Sequence, residues 1–216
     1  RKAARFKQHL VDSKLAKASI LSITTALKRF FGWLSHQPGY KSRIAHNDIE
    51  YLNMADCDVR AAKAPADRPV PSLEQVQKAF EAMPDQTSIE MRDRAVFAIL
   101  ALTGVRDGAL ITLQLKHLDE QNERLLQNPK EVKTKNAARI DSYLIDLIPG
   151  MKDALLDWKR FLVENQLYGP NDPLFPKTAM GQDQNKDFVA VGLTREHWAS
   201  AQPVCKIVCD AFARVG

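Results

Sequence analysis

One arginine stands where the chain could hold a phosphate. Arg106 lies two residues after Gly104, which itself follows an apolar run over residues 95–102. Apolar residues at nearly every position predict a helix inside a core, and glycine commonly supplies the left-handed residue that ends a helix. Arg106 would then begin the next helix, with a permanent positive charge and a rigid fork of donors. This guanidinium suits a phosphate, although an ordinary surface arginine fits the same local pattern.

A second group of cations comes later in the chain, at Lys133, Lys135 and Arg139. A lysine near the tip of a β-hairpin is commonly a solvated charge that protects the edge of a sheet. The residues alone therefore leave a surface charge and a functional cation both open. The surrounding sequence predicts a three-stranded antiparallel meander, with strands at residues 124–127, 131–135 and 139–145.

Apolar residues at helical spacing are the dominant pattern in the rest of the chain. We expect Ser19, Asn47 and Ser72 to cap helices, the last two with Glu50 and Gln75 three residues further on. Together with the meander, these patterns predict a mainly α fold with a small antiparallel sheet.

Composition limits the class of protein. The chain has 216 residues, 45% of them hydrophobic and 26% charged, which is typical of a soluble globular protein with room for two modest domains. No apolar run approaches the ~18 residues that a membrane span needs. The three cysteines, Cys57, Cys205 and Cys209, are too few for a disulfide framework, and we predict that they are small buried residues rather than metal ligands. Since the chain begins with Arg1 and shows no leader, we expect an internal piece of a longer cytoplasmic protein.

Positive charge is concentrated near the N-terminus. Residues 1–63 hold 12 Lys and Arg against 5 Asp and Glu, whereas the remainder holds 19 against 21. A small basic helical module typically binds nucleic acid, because neutralising phosphates releases counterions. An ordinary solvated surface is the alternative. The candidate phosphate contacts are Lys14, Lys17, Lys28, Arg29, Lys41 and Arg43.

A boundary between two domains is indicated by three prolines within seven positions. Residues 57–71, which include them, lack a hydrophobic period and predict an extended interdomain linker. Residues 1–56 would then form an all-α domain, and residues 72–216 a larger α+β domain.

Several of these features occur together in one known family. The segment Leu102-Thr103-Gly104-Val105-Arg106, followed by Leu110 and Leu113, resembles the first arginine box of the tyrosine recombinases (phage integrase family). The order of an arginine, a short sheet and a Lys-Thr-Lys hairpin is similar too, as are Leu174-Phe175 and Trp198. The family usually carries an acidic residue three positions after the arginine. Here Ala109 occupies that position.

The resemblance implies site-specific DNA recombination through a 3′-phosphotyrosyl intermediate. Arg106 would grip the scissile phosphate, and Lys133, with Lys135 as the alternative, would protonate the departing 5′ oxygen. The energy of the broken DNA phosphodiester bond is kept in the ester between the protein and DNA. The resemblance therefore implies no cofactor and no metal. Residues 1–56 would be a core DNA-binding domain, and residues 72–216 the N-terminal part of the catalytic domain.

Three other motifs of the family are not found in this chain, namely the His-x-x-Arg box, a later His or Trp, and the nucleophilic tyrosine. His197 has no arginine three residues later, so it is not the His-x-x-Arg box, and the motif nominates no nucleophile among Tyr40, Tyr51, Tyr143 and Tyr168. We therefore expect a bacterial or phage-encoded fragment that binds double-stranded DNA without cleaving it and is mostly monomeric. Full-length relatives assemble as tetramers on DNA. The alternative is a non-catalytic helical DNA-binding or scaffold protein in which Arg106 is structural.

Overall fold

Helices make up most of the regular structure in the computed structural model, which describes residues 2–65 and 69–216. The chain divides into two units, Arg1–Pro69 and Val70–Gly216. Short antiparallel strands accompany the helices of the second unit. The prediction of a mainly α fold with a small antiparallel sheet is therefore confirmed. In the part of the chain that is described, no helix combines the length and the apolar character that crossing a membrane requires.

The first unit is built around its longest helix. Its helices are α1 (Lys2–Asp12), α2 (Lys17–Leu34), α3 (His46–Glu50) and α4 (Asp56–Lys63), and the other three pack against α2. Leu10 of α1, Ile20 of α2 and Ile49 of α3 are buried, as is Leu52 just after α3. Hydrophobic side chains from three of these helices thus contribute to a small core.

The two side-chain caps predicted in this unit are wrong. Helix α2 begins after Ala16 and α3 after Ala45, and neither has a side-chain cap. An ion pair from Lys17 to Asp58 of α4, at 2.9 Å, accompanies the earlier start of α2, so Ser19 lies inside the helix. The carbonyl of Ala45 already accepts the N–H of Asp48 at 3.0 Å, so α3 starts before Asn47.

The predicted extended linker is also wrong over much of its length. Residues 56–63 form α4, which packs on α2 and belongs to the first unit. Acidic residues in its first turn and basic residues in its last turn stabilise the helix by complementing its dipole. Helix α4 has only eight residues and buries none of them, so its apolar pattern is too short to identify it in the sequence. Residues 66–68 of the predicted linker lie outside the described residues.

The second unit packs around a central buried helix. Its helices are α5 (Leu73–Glu81), α6 (Ser88–Thr103), α7 (Asp107–Leu110), α8 (Met151–Glu164) and α9 (Gln202–Ala213). Helix α6 packs against α5, α8 and α9. Six residues of the apolar run over residues 95–102 are buried, as predicted, and Arg92 is buried as well. Gly104 ends the helix in the left-handed conformation with φ +61°.

Reciprocal hydrogen bonds fix the start of two of these helices. Ser72 and Gln75 form the predicted capping box of α5, with bonds of 2.8 and 3.3 Å. Helix α6 has a capping box of the same kind between Thr87 and Glu90, which the sequence analysis did not identify. Both boxes satisfy backbone donors that have no partner within the helix.

The three-stranded sheet forms from a different set of segments than predicted. Its strands are β1 (Leu118–Asp119), β2 (Arg124–Gln127) and β3 (Ile140–Tyr143), paired antiparallel in that order. The prediction of a strand over residues 131–135 is wrong, because the Asn128 carbonyl accepts the N–H groups of Glu131 and Val132 and closes a turn. The side chain of Val132 is buried in the core. Residues 128–139 therefore form a long connection between β2 and β3.

The structure differs from the sequence-based expectations at a hairpin of the second unit and at the cysteines. Strands β4 (Thr178–Gln182) and β5 (Phe188–Leu193) form a hairpin that the sequence analysis did not predict. The prediction of buried cysteines is wrong, since Cys57, Cys205 and Cys209 are all exposed. On α9, the buried positions are Val204, Ile207 and Ala211, so both of its cysteines lie on the outer face.

Two glycines near Arg106 give opposite predictions. We expect Gly104→Ala to destabilise the chain by about 1 kcal/mol, because φ is +61° there and an L side chain disfavours that conformation. Gly108 lies in α7 with open space around it, so Gly108→Ala should stabilise by up to about 0.5 kcal/mol. Urea unfolding of the two variants measures both effects. Equal changes in the two would contradict a conformational requirement at Gly104.

Candidate functional site

Arg106 lies at the N-cap of α7 and is held by its neighbours. Its carbonyl accepts the N–H groups of Ala109 and Leu110 at 3.0 and 2.9 Å, and the preceding Val105 is buried. The Arg106 side chain is exposed. Within residues 2–65 and 69–216, its guanidinium has no hydrogen-bond or ion-pair partner. A well-anchored backbone therefore presents an unpaired cation.

No carboxylate orients this guanidinium within the described part of the chain. Ala109, at the position where the resemblance leads one to expect an acid, is buried at 2% exposure. The carboxylate of Asp107 accepts the N–H of Gly108 at 2.6 Å and so belongs to the first turn of α7. Asp107 therefore does not replace the missing acidic residue.

The segment after α7, residues 111–117, joins several parts of the second unit, and we call it the anchor segment. The Ile111 carbonyl accepts a hydrogen bond from Nδ1 of His197 at 3.0 Å. The Leu113 carbonyl accepts the N–H of Leu174 at 2.9 Å. The N–H groups of Leu115 and Lys116 donate to the carbonyls of Asp172 and Pro170, at 3.1 and 3.0 Å.

The connection that carries Lys133 is tied to the same anchor segment. The N–H of Lys133 donates to Oγ1 of Thr112 at 3.0 Å, and the Lys133 side chain is exposed. Thr112 in turn donates to the carbonyl of Ala109 in α7 at 2.8 Å. Lys135 is also exposed, at the start of a 3₁₀ turn, Lys135–Ala137. Of the two candidate lysines, Lys133 is thus the one bonded through its backbone to the turn that Arg106 opens.

A cluster of charged side chains that sequence reasoning missed lies beside this connection. His117 is buried. Its Nδ1 lies 2.9 Å from the backbone nitrogen of Gln114, and its Nε2 lies 3.2 Å from the carboxylate of Glu131. Lys116 also pairs with Glu131, at 2.5 Å. Burial lowers the pKa of His117, whereas the bonds from Lys116 and His117 hold the pKa of Glu131 below its usual value. Fourteen residues separate His117 from Glu131, so no local pattern could have linked them.

The basic residues predicted to contact DNA fall into two groups. Lys17 pairs with Asp58 at 2.9 Å, a contact that raises the pKa of Lys17. Lys28 lies 2.7 Å from the side-chain oxygen of Asn53 and 3.2 Å from Glu50. The other four are exposed and have no partner in the described part of the chain; they are Lys14, Arg29, Lys41 and Arg43.

The four tyrosines differ widely in environment. Tyr168 is 7% exposed, its hydroxyl donates to the Thr194 carbonyl at 2.9 Å, and burial raises its pKa. Tyr143 is 67% exposed on β3, and Tyr40 and Tyr51 are exposed in the first unit. The Tyr168 hydroxyl is therefore a poor nucleophile in this arrangement.

Comparison with known proteins finds a likeness to a solved structure. The chain is similar to the crystal structure of XerA recombinase, with a TM-score of 0.47 and 16% sequence identity over 98% of this chain and 69% of that chain. No protein-family model and no curated protein sequence matches the chain.

The bond between Lys133 and Thr112 gives a direct test of the site. We expect Thr112→Val to destabilise the chain by about 1 kcal/mol and to speed hydrogen exchange of the Lys133 amide by about tenfold, because its acceptor is removed. Thr112→Ser keeps the hydroxyl and should leave that amide protected. If the Lys133 amide exchanges equally fast in all three proteins, this bond does not hold the connection.

Proposed function

We propose that the chain is part of a site-specific DNA recombinase of the tyrosine type, in which Arg106 and Lys133 meet the same DNA phosphodiester. The observation that carries the proposal is the hydrogen bond from the Lys133 N–H to Thr112, at 3.0 Å. This bond attaches the connection that bears Lys133 to Thr112, which lies two residues beyond the helix that begins after Arg106. The motif resemblance of residues 102–113 supports the same assignment.

The chemistry suits these two residue types. Attack of a tyrosine on a DNA phosphodiester places negative charge on the phosphate oxygens and on the leaving 5′ oxygen. Arg106 would stabilise the charged phosphate without giving up its own proton. Lys133 carries a flexible ammonium that could reach the leaving oxygen and donate a proton to it. Neither side chain has an internal partner to displace first in the described part of the chain.

The same proposal predicts that the 216-residue chain binds DNA without breaking it. The nucleophilic tyrosine of a recombinase must be exposed beside the scissile phosphate. Tyr168 is buried and hydrogen-bonded, and no motif assigns the other three tyrosines this role. We further propose that the chain is monomeric by itself and that a protein containing the remaining boxes assembles as a tetramer on DNA.

The basic first unit would supply affinity for duplex DNA. Its exposed cations are available to phosphates, and such contacts position a protein on DNA without reading its sequence. Lys17 and Lys28 would have to exchange their intramolecular partners for phosphates, so we rank them behind the unpaired residues. The leading candidates are Lys14, Arg29, Lys41 and Arg43.

One observation favours a second candidate function. The buried Ala109 leaves Arg106 without the supporting carboxylate that the recombinase resemblance leads one to expect. A non-catalytic helical DNA-binding or scaffold protein would not need that support. Both candidates bind DNA, so DNA cleavage is the property that separates them.

Salt dependence tests the proposed binding of phosphates. We expect the chain to bind duplex DNA with an affinity that falls steeply with salt. Replacing Lys41 and Arg43 together by alanine should reduce the log–log slope by about 0.9 for each phosphate that the protein no longer neutralises. Lys17→Ala is the matched control, because its ammonium is already paired with Asp58. Fluorescence anisotropy at several salt concentrations measures the slopes. If the double variant has the same slope as the unmodified chain, Lys41 and Arg43 do not lie in the DNA interface.

Arg106 is tested in a longer protein that joins this chain to a His-x-x-Arg box and a nucleophilic tyrosine. We expect Arg106→Ala to retain duplex binding and to lower formation of the covalent DNA adduct by about 100-fold or more, because the variant cannot stabilise the charged phosphate. Arg139→Ala is the control, since Arg139 is exposed and pairs with Asp141 at 3.3 Å. Undiminished cleavage by Arg106→Ala would rule out its assigned role.

A further inference from the structure

Helix α2 exposes two neighbouring aromatic side chains. Phe30 is 51% exposed and Trp33 is 58% exposed, and their ring centroids lie 6.1 Å apart. The half-buried Phe31 packs edge-to-face against Phe30, with centroids 5.4 Å apart, and helps to hold that ring in place. We call Phe30 and Trp33 the ring pair. Two adjacent rings are thus presented to solvent by an ordered helix.

The surface around the ring pair is positively charged. Helix α2 contains no acidic residue, and the longer stretch over residues 13–47 contains none either. Arg29 precedes Trp33 by four residues, which places the two side chains on the same face of the helix. The Arg29 guanidinium is exposed and has no partner in the part of the chain that the structure describes. An unpaired cation beside the rings favours an anionic partner.

The ring pair is too small for a stable interface with another protein. An aromatic side chain offers about 150–250 Å² of surface, so two that are about half exposed present roughly 200 Å². A specific protein interface takes about 800 Å² from each partner. The neighbouring exposed positions on this face are small or charged, namely Ser22, Ala26 and Arg29. The available area suits one or two planar rings of a ligand.

We propose that the ring pair and Arg29 form a site for the unpaired bases of single-stranded DNA. Nucleobases stack on aromatic side chains, while a neighbouring cation contacts the phosphate backbone. In a duplex the face of each base is covered by the next base, so the ring pair can stack only on a base that has left the double helix. Because every base has such a face, we expect little sequence preference.

This site goes beyond the proposed function, since it requires neither Arg106 nor Lys133. Only the choice of DNA over RNA rests on the proposed function. Arg29 is also a candidate contact for duplex phosphates, whereas the ring pair has no role in that binding. Binding of duplex and of single-stranded DNA can therefore be measured separately in the same chain.

Trp33 itself reports contact with a base. The other two tryptophans, Trp158 and Trp198, are 0% and 6% exposed, so Trp33 is the tryptophan that a ligand can reach from solvent. We expect an oligothymidylate of about 10 nucleotides to quench the emission of Trp33. A strand of equal length made of abasic deoxyribose phosphates carries the same charge without bases. It should bind about tenfold more weakly and leave the emission unchanged.

Variants of the ring pair test stacking directly. Trp33→Ala should weaken binding of a labelled oligothymidylate by about tenfold or more, measured by fluorescence anisotropy. Trp33→Phe keeps an aromatic face and should stay within about threefold of the unmodified chain. Tyr51→Ala is the matched control, because Tyr51 is 56% exposed in the same unit but lies outside α2. Duplex affinity should be the same in all four proteins.

Three results would overturn the proposal. The first is equal affinity for the abasic strand and the oligothymidylate, and the second is undiminished binding of the oligothymidylate by Trp33→Ala. The third is a change of Trp33 emission with phosphatidylglycerol vesicles but none with the oligothymidylate, which would assign the ring pair to a membrane surface. Tighter binding of an oligouridylate than of the oligothymidylate would overturn the choice of DNA.

Two further outcomes are also decisive. If Trp33→Ala does not fold, the comparison of the oligothymidylate with the abasic strand in the unmodified chain decides alone. Failure of the chain to bind duplex DNA would count against the proposed function, and it would leave a positive result with the oligothymidylate standing.

Discussion

The pairing of buried backbone groups along the anchor segment is the constraint on which the second unit depends. The side chains of Ile111, Leu113 and Leu115 are buried, so this irregular segment runs through the core. Buried N–H and C=O groups must find partners, and an irregular segment cannot supply them all internally. The backbone partners come from residues 170–174 and from His197, and the side-chain oxygen of Thr112 accepts the N–H of Lys133. Segments far apart in sequence are thereby brought to the turn that begins at Arg106.

The features that could be predicted from the sequence are those whose cause lies within a few residues. Gly104 ends α6 because the left-handed conformation suits glycine, and Ser72 with Gln75 caps α5 across one turn. The apolar run before Gly104 identifies a buried helix without reference to its neighbours. The position of Arg106 at the start of α7 follows from the same local signals.

The remaining features depend on contacts that are distant along the chain. Residues 131–135 have the composition of a strand, yet they lie in an irregular connection, in which Val132 is buried in the core and the N–H of Lys133 bonds to Thr112. His117 pairs with Glu131, and Lys17 pairs with Asp58. No spacing rule in the sequence predicts either pair. The exposure of Cys205 and Cys209 depends on which side of α9 packs against α6, and composition does not determine that side.

The contrast between two arginines of the second unit bears most directly on function. Arg92 is 3% exposed, pairs with Asp93 at 2.7 Å and donates to Thr178 and the Pro176 carbonyl. Its donors are thus satisfied internally, as burial of a guanidinium requires. Arg106 has a comparably fixed backbone, yet its exposed guanidinium makes no such contact with the described residues. Because its backbone is already ordered, Arg106 could pair with an external anion without further ordering of the main chain, and the proposed function assigns it a binding role on this ground.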